Sequence, residues 1–158
     1  MGRKSAQKSK FKPKPGQVDF TNARWAPVIN CVVRYRGRIL LVRRSEARAL
    51  YPGKWNGVAG FLDDRKSLRE KVEEEIREEI GIPKAKIRQT RLGRIFDQED
   101  AAYKKTWVVH PVLVDVTTDH IALDWEAMEY KWVLPREIRK FDLVPLFSKV
   151  IQNVLRHR

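Results

Sequence analysis

Glu75, Glu78 and Glu79 stand in one short stretch, EEEIREEIG (Glu73–Gly81), in which five of nine residues are acids. The chain around them is basic, with 33 Lys and Arg against 20 Asp and Glu and a formal net charge of +13. On a helical wheel at about 100° per residue, Leu68, Val72, Ile76 and Ile80 form an apolar stripe. Glu79 falls inside the edge of that stripe, Glu75 just beside it and Glu78 further round. Glu70, Glu73 and Glu74 project to solvated positions. Like charges one turn apart repel by about 0.2–0.5 kcal/mol when exposed, and partial burial adds desolvation. A compensating partner is therefore expected: a basic side chain, a raised pKa or a divalent cation. Clustered carboxylate oxygens suit Mg²⁺ or Mn²⁺. Taken alone, the stretch also reads as a solvated acidic helix laced to nearby arginines.

The elements that would position these acids are legible around them. Ser67 with Glu70 three residues on is a capping-box pattern that starts a helix, and Gly81 stops it. Ala26–Tyr35 (APVINCVVRY) and Arg38–Arg44 (RILLVRR), joined at Arg36-Gly37, read as a hairpin. Pro52-Gly53 punctuates the loop that follows, and WNGVAGFL is a short extended segment. AKIRQTRLGRIF, KKTWVVHPVLVDV and EYKWVLP read as strands, with Pro111 arguing for an edge or a bulge in the second. FDLVPLFSKVIQNVLRHR reads as a C-terminal amphipathic helix, with Leu146, Val150 and Val154 spaced by four. Strands around two main helices imply a mixed α/β domain.

Composition sets the frame. At 158 residues, 42% hydrophobic with five Trp and six Phe, the chain suits one domain with a real core. The apolar runs are too short to cross a bilayer, and the basic start has no apolar stretch behind it, so neither a membrane partner nor a secretory signal is expected. The single cysteine, Cys31, lies in an apolar run and reads as a buried thiol in a reducing cytoplasm. Residues 1–25 hold seven basic side chains and one acid. Residues 1–18 read as a basic flexible tail and 19–158 as the domain. The excess positive charge favours polyanions, with solubility as the plain alternative. The tail is expected to add RNA affinity but to take no part in catalysis.

GFLDDRKSLREKVEEEIREEIGI (Gly60–Ile82) resembles the Nudix box, G-x5-E-x7-R-E-U-x-E-E-x-G-U with U aliphatic. Gly60 takes the first glycine, and Glu75, Ile76, Glu78, Glu79, Gly81 and Ile82 take E, U, E, E, G and U. The resemblance covers roughly residues 25–157. It implies an α/β/α sandwich with a mixed β-sheet and a loop–helix–loop catalytic motif. It also implies a divalent-metal-dependent hydrolase that cleaves the diphosphate of a nucleoside diphosphate linked to another group. Glu75, Glu78 and Glu79 would hold Mg²⁺ or Mn²⁺, with an oxygen added by the carbonyl of Gly60 or Ala59. The general base would be a box glutamate (Glu75 or Glu79) or a later acid, with Glu126, Glu99 and Asp100 as candidates. Arg43, Arg44 and Arg48 would meet phosphates, Trp55, Phe61 or Tyr103 would stack on a base, and Lys71 would touch a phosphate or stand where one metal ion would be. The family also admits a homodimer.

Two box positions depart: Lys66 replaces the early glutamate and Glu74 the arginine. Both change sign together, as expected of a reversed ion pair that supports the loop. If the two have instead drifted, a catalytically weakened Nudix-fold RNA-binding or assembly module is the alternative. YPGKWNGVAG also resembles isopentenyl diphosphate isomerase, whose site uses a Cys and a Glu; no Cys occurs in that segment.

Overall fold

The computed structural model describes residues 12–156. β1 (Trp25–Tyr35) and β2 (Arg38–Arg44) form the expected hairpin. Its two turn residues, Arg36 (φ 45°) and Gly37 (φ 78°), both adopt the left-handed conformation that matches the strand twist. Along β1 the side chains alternate between two cores. Ala26, Val28 and Val32 face one side of the sheet, and Ile29, Cys31 and Val33 the other. With both faces covered, the strand reads as a continuous apolar run.

β7 (Lys105–Val116) lies parallel to β1 and makes the sheet mixed. On its other edge it pairs with two strands in turn. β5 (Ile87–Leu92) covers residues 112–116 and β6 (Phe96–Asp100) covers 105–109. Pro111 was expected to mark an edge or a bulge, yet β7 is central. The proline is tolerated because it falls where one neighbour hands over to the next, so its missing N–H breaks no ladder on that side. Its carbonyl still accepts from Gly93 N–H at 2.8 Å.

β2 pairs on its far side with β8 (Ala127–Val133), and on the edge that faces β1, beyond the hairpin end, with the two-residue β3 (Trp55–Asn56). β4 (Val58–Phe61) pairs with β1 and leads into the acidic helix. That helix, α1 (Leu68–Ile80), packs on one face of the eight-stranded sheet, and α2 (Phe147–Leu155) on the other. The result is the α/β/α sandwich that the resemblance implies. α2 is shorter than expected, because the chain before it stays extended: Val144 N–H donates to the Trp55 carbonyl at 2.8 Å.

α1 is bounded as its sequence implies. Ser67 Oγ accepts from Glu70 N–H at 3.2 Å. Gly81, at φ 71°, donates its N–H to the Arg77 carbonyl at 3.0 Å. Val72, Ile76 and Ile80 are fully buried against the sheet, which fixes the rotation of the helix and hence the direction of its glutamates. Most of the tail inferred from composition, residues 1–11, lies outside the described residues. Lys14–Val18, however, pack against the domain, so a boundary at 18/19 cuts through contacts. Among the described residues no helix is long and apolar enough to cross a membrane.

Candidate active site

The loop leaving β4, the exposed flank of α1 and the turn before β8 enclose a cavity of about 760 Å³. Glu75, Glu78, Glu79 and Glu126 all line it. The three helix acids meet there because of their 3–4 spacing beside a buried stripe. Glu126 comes from 47 residues further on. The register of β8 against β2 (Arg44 opposite Ala127) delivers it, and Asp124 Oδ1 fixes its backbone by accepting Glu126 N–H at 3.0 Å. Arg48 Nη1 pairs with Glu126 Oε1 at 2.9 Å. Glu79 Oε2 accepts the Ala59 N–H at 3.2 Å. Glu75 lies flat on Gly60, where a Cβ would come within 2.7 Å of its Cδ and Oε1.

The electrostatics follow from crowding and burial. Burial pushes the Glu75 carboxyl up to about 8; Lys71 opposes that rise, while Glu78 and Glu126 add to it. Glu79 is pushed well above the carboxylate range by burial, by its hydrogen bond with Glu126 and by the charge of Glu75. Protons and a bound cation would therefore compete for these two side chains. By donor type and charge the set fits a hard divalent ion: several carboxylate oxygens, two of them desolvated, with one arginine among them. Among the described residues no three acids converge tightly enough to ligate an ion as they stand, so binding calls for side-chain rotation.

A pH dependence follows from these raised values. Between the ordinary glutamate value of 4.5 and about 8, the native chain holds a proton on Glu75 that the unfolded chain has released. The contribution to stability is therefore complete below about 4.5 and is lost as pH rises through about 8. In chelator, the thermal midpoint should fall across this window, and Glu75→Gln should flatten the fall. A parent midpoint that climbs with pH would mean that Glu75 is ionised throughout.

Lys66 and Glu74, the two altered box positions, are an ion pair, with Nζ 2.6 Å from Oε2. Glu74 is accordingly half-buried rather than solvated. Lys71 is buried, its ammonium 2.8 Å from Asp64 Oδ2 and 3.2 Å from Asp63 Oδ1. Burial pulls its pKa down, but the hydrogen bonds to Asp64 and Asp63 outweigh this and hold it above the ordinary lysine value. It is a permanent cation within the cavity wall.

The other candidates divide. Phe61 lines the main cavity and also a smaller one of about 80 Å³ that adjoins it, where Arg44, Arg48, Asn30, Asn56 and Trp107 meet it. Arg44 is tied to the Leu50 carbonyl at 2.8 Å, and burial, then Arg48, push it down to about 10, so it stays charged at neutral pH. Trp55 does not reach either cavity; it is buried in the core with its ring 5.2 Å from Phe141. Arg43 spends its Nε on the Gly53 carbonyl at 3.0 Å. Glu99 and Asp100 sit on β6, away from the cavity; Asp100 accepts the Tyr51 hydroxyl, and Tyr103 packs edge-on against the Tyr51 ring. Sequence reasoning missed Asp63, Asp64 and the Lys14–Gln17 turn. Buried Asp63 had no helical or strand period to betray it, whereas Pro15-Gly16 after a lysine was a readable turn signal.

A family model described as the NUDIX domain matches residues 24–154. The isopentenyl-diphosphate Delta-isomerase of Kocuria rhizophila is 27% identical over 113 residues, which span 65% of this chain and 58% of that protein. Nucleoside triphosphatase NudI of Salmonella paratyphi B is 25% identical over 120 residues, 71% of this chain and 84% of that protein. The crystal structure of a MutT protein from Methanosarcina mazei Go1 superposes with a TM-score of 0.70 at 25% identity, covering 84% of this chain and 94% of the other.

Proposed function

The chain belongs to the Nudix family, and on that premise we propose that it is a divalent-metal-dependent pyrophosphohydrolase cleaving the diphosphate of a nucleoside diphosphate linked to another group. One observation carries the reading: Glu75, Glu78, Glu79 and Glu126 line a single cavity, where burial and crowding push the Glu75 and Glu79 carboxyls up. A binding module for polyanions has no use for desolvated carboxylates at its centre, which weighs against an RNA-binding or assembly role.

Glu75, Glu78 and Glu79, with the Gly60 carbonyl, would hold Mg²⁺ or Mn²⁺. When bound, such a cation neutralises phosphate charge and makes water a better nucleophile. The rest falls to the chain's own residues. Glu126 is the proposed base, oriented by Arg48 and Asp124; it accepts the proton of the attacking water. Arg48 and Arg44 supply positive charge toward the phosphates, and Lys71 adds a fixed charge beside Glu75. Phe61, between the two cavities, offers a face to a nucleobase. That NudI is a nucleoside triphosphatase agrees with this class of substrate. The isomerase reading lacks its thiol: Cys31 is fully buried and lines neither cavity.

Nucleotide or phosphate release from a panel of nucleoside diphosphate derivatives, with Mg²⁺ or Mn²⁺ and with chelator, tests the proposal. No metal-dependent release from any member would remove it. The reversed pair makes a sharper prediction. An exposed ion pair contributes about 0.2–1 kcal/mol to stability, but a small displacement of the loop costs far more in rate. Lys66→Glu and Glu74→Arg should each lower turnover, and the double variant should recover it. Additive losses without rescue would mean that the pair does not support the loop.

A further inference from the structure

Lys14, Pro15, Gly16 and Gln17 line one wall of the main cavity, and they begin a strap, residues 14–23, that is held to the domain by three anchors. Lys14–Gln17 is a tight turn in which Gln17 N–H donates to the Lys14 carbonyl at 2.9 Å. Gly16 takes φ 81°, the left-handed conformation that a type II turn requires after proline. The Gln17 side chain works in both directions: its Oε1 accepts from Lys14 N–H at 3.0 Å, and its Nε2 donates to Asp63 Oδ2 at 2.8 Å. Val18 N–H donates to the Asp63 carbonyl at 2.6 Å. Further along, the Phe20 ring stacks on Phe61, with centroids 6.1 Å apart and planes at 14°. Lys105, only 7% exposed, donates to the carbonyls of Phe20, Thr21 and Ala23 at 2.6, 3.0 and 2.7 Å. A buried ammonium costs desolvation; here its hydrogen bonds all go to the backbone of the strap.

Five cations line the cavity: Lys14, Arg48, Arg65, Lys66 and Lys71. Arg48 is paired with Glu126, Lys66 with Glu74 and Asp64, and Lys71 with Asp63 and Asp64. Lys14 and Arg65 have no carboxylate partner among the described residues. Lys14 is on the turn tied to Asp63, and Arg65 is two residues beyond Asp63. A cavity of about 760 Å³ holds a whole nucleotide-sized ligand and not a diphosphate alone.

We infer that the strap is a built wall of the substrate cleft and that Lys14 with Arg65 forms a cationic subsite for the terminal phosphate of an extended polyphosphate substrate. This rests on the hydrolase reading for its substrate class. It also reverses, for Lys14–Gln17, the expectation that the basic tail stands apart from the site. The test is calorimetric binding of inorganic tripolyphosphate and of pyrophosphate to the full chain in Mg²⁺. Lys14→Ala with Arg65→Ala should weaken tripolyphosphate binding about tenfold, the scale of a charge-assisted contact, and pyrophosphate binding less than about twofold. Lys105→Met, which releases the strap, should lose the same discrimination. An unchanged ratio of the two affinities in the double variant, or a parent that never prefers tripolyphosphate, overturns the subsite. The double variant changes only exposed side chains, so its result stands even if Lys105→Met does not fold. Metal-dependent turnover is read separately: discrimination without hydrolysis keeps the subsite and removes the hydrolase reading, and hydrolysis without discrimination does the reverse.

Discussion

Turnover of the Glu79→Gln protein is expected to fall at least about a hundredfold below the parent, the scale on which a base or a metal ligand contributes. Glutamine keeps the shape of the side chain and one carbonyl oxygen, so the acceptor for Ala59 N–H can survive. What is lost is the ability to ionise against a cation, at the most desolvated carboxyl of the cluster. The same substitution should not destabilise the chain. A neutral amide avoids both the burial cost and the repulsion from Glu75 and Glu126, so the thermal midpoint near pH 8 without metal should hold or rise. Stability kept and rate lost together identify a group retained for chemistry. Unchanged turnover would remove Glu79 from the metal site.

Gly60→Ala is expected to cost about a hundredfold in rate with little change in thermal midpoint. The glycine is needed for proximity. A methyl group at 60 would lie 2.7 Å from the Cδ and Oε1 of Glu75, well inside contact distance. The atoms in the way are the end of a side chain, not backbone, so the fold relieves the clash by moving Glu75. A displaced ligand or phosphate-facing group is costly to rate even when the shift is about 1 Å. Normal turnover in Gly60→Ala would show that Glu75 has room to move and that its position against Gly60 does not matter. A collapse of the midpoint would instead locate the effect in the β4–β1 pairing.

The sequence determined whatever depends on near neighbours. The spacing of Glu75, Glu78 and Glu79 against Leu68, Val72, Ile76 and Ile80 is helical geometry, and it set their common flank before any tertiary contact formed. Ser67 and Gly81 fixed the ends of that helix by capping, and Arg36-Gly37 fixed the hairpin by backbone conformation. The joint sign reversal at Lys66 and Glu74 was readable as a pair because only seven residues of loop and helix lie between them. Tertiary structure decided the remainder. Glu126 and Arg48 join the helix acids only through the register of β8 on β2, and Pro111 could sit in a central strand only because β5 gives way to β6 beside it. Trp55 went to the core and Lys71 to Asp63 and Asp64 because burial and ion pairing are settled by what packs opposite, which no local pattern contains. The Lys14–Gln17 turn joined the cavity wall for the same reason: its anchors, Asp63, Phe61 and Lys105, lie about 40 to 90 residues away along the chain, and only the folded sheet brings them within hydrogen-bond and stacking range.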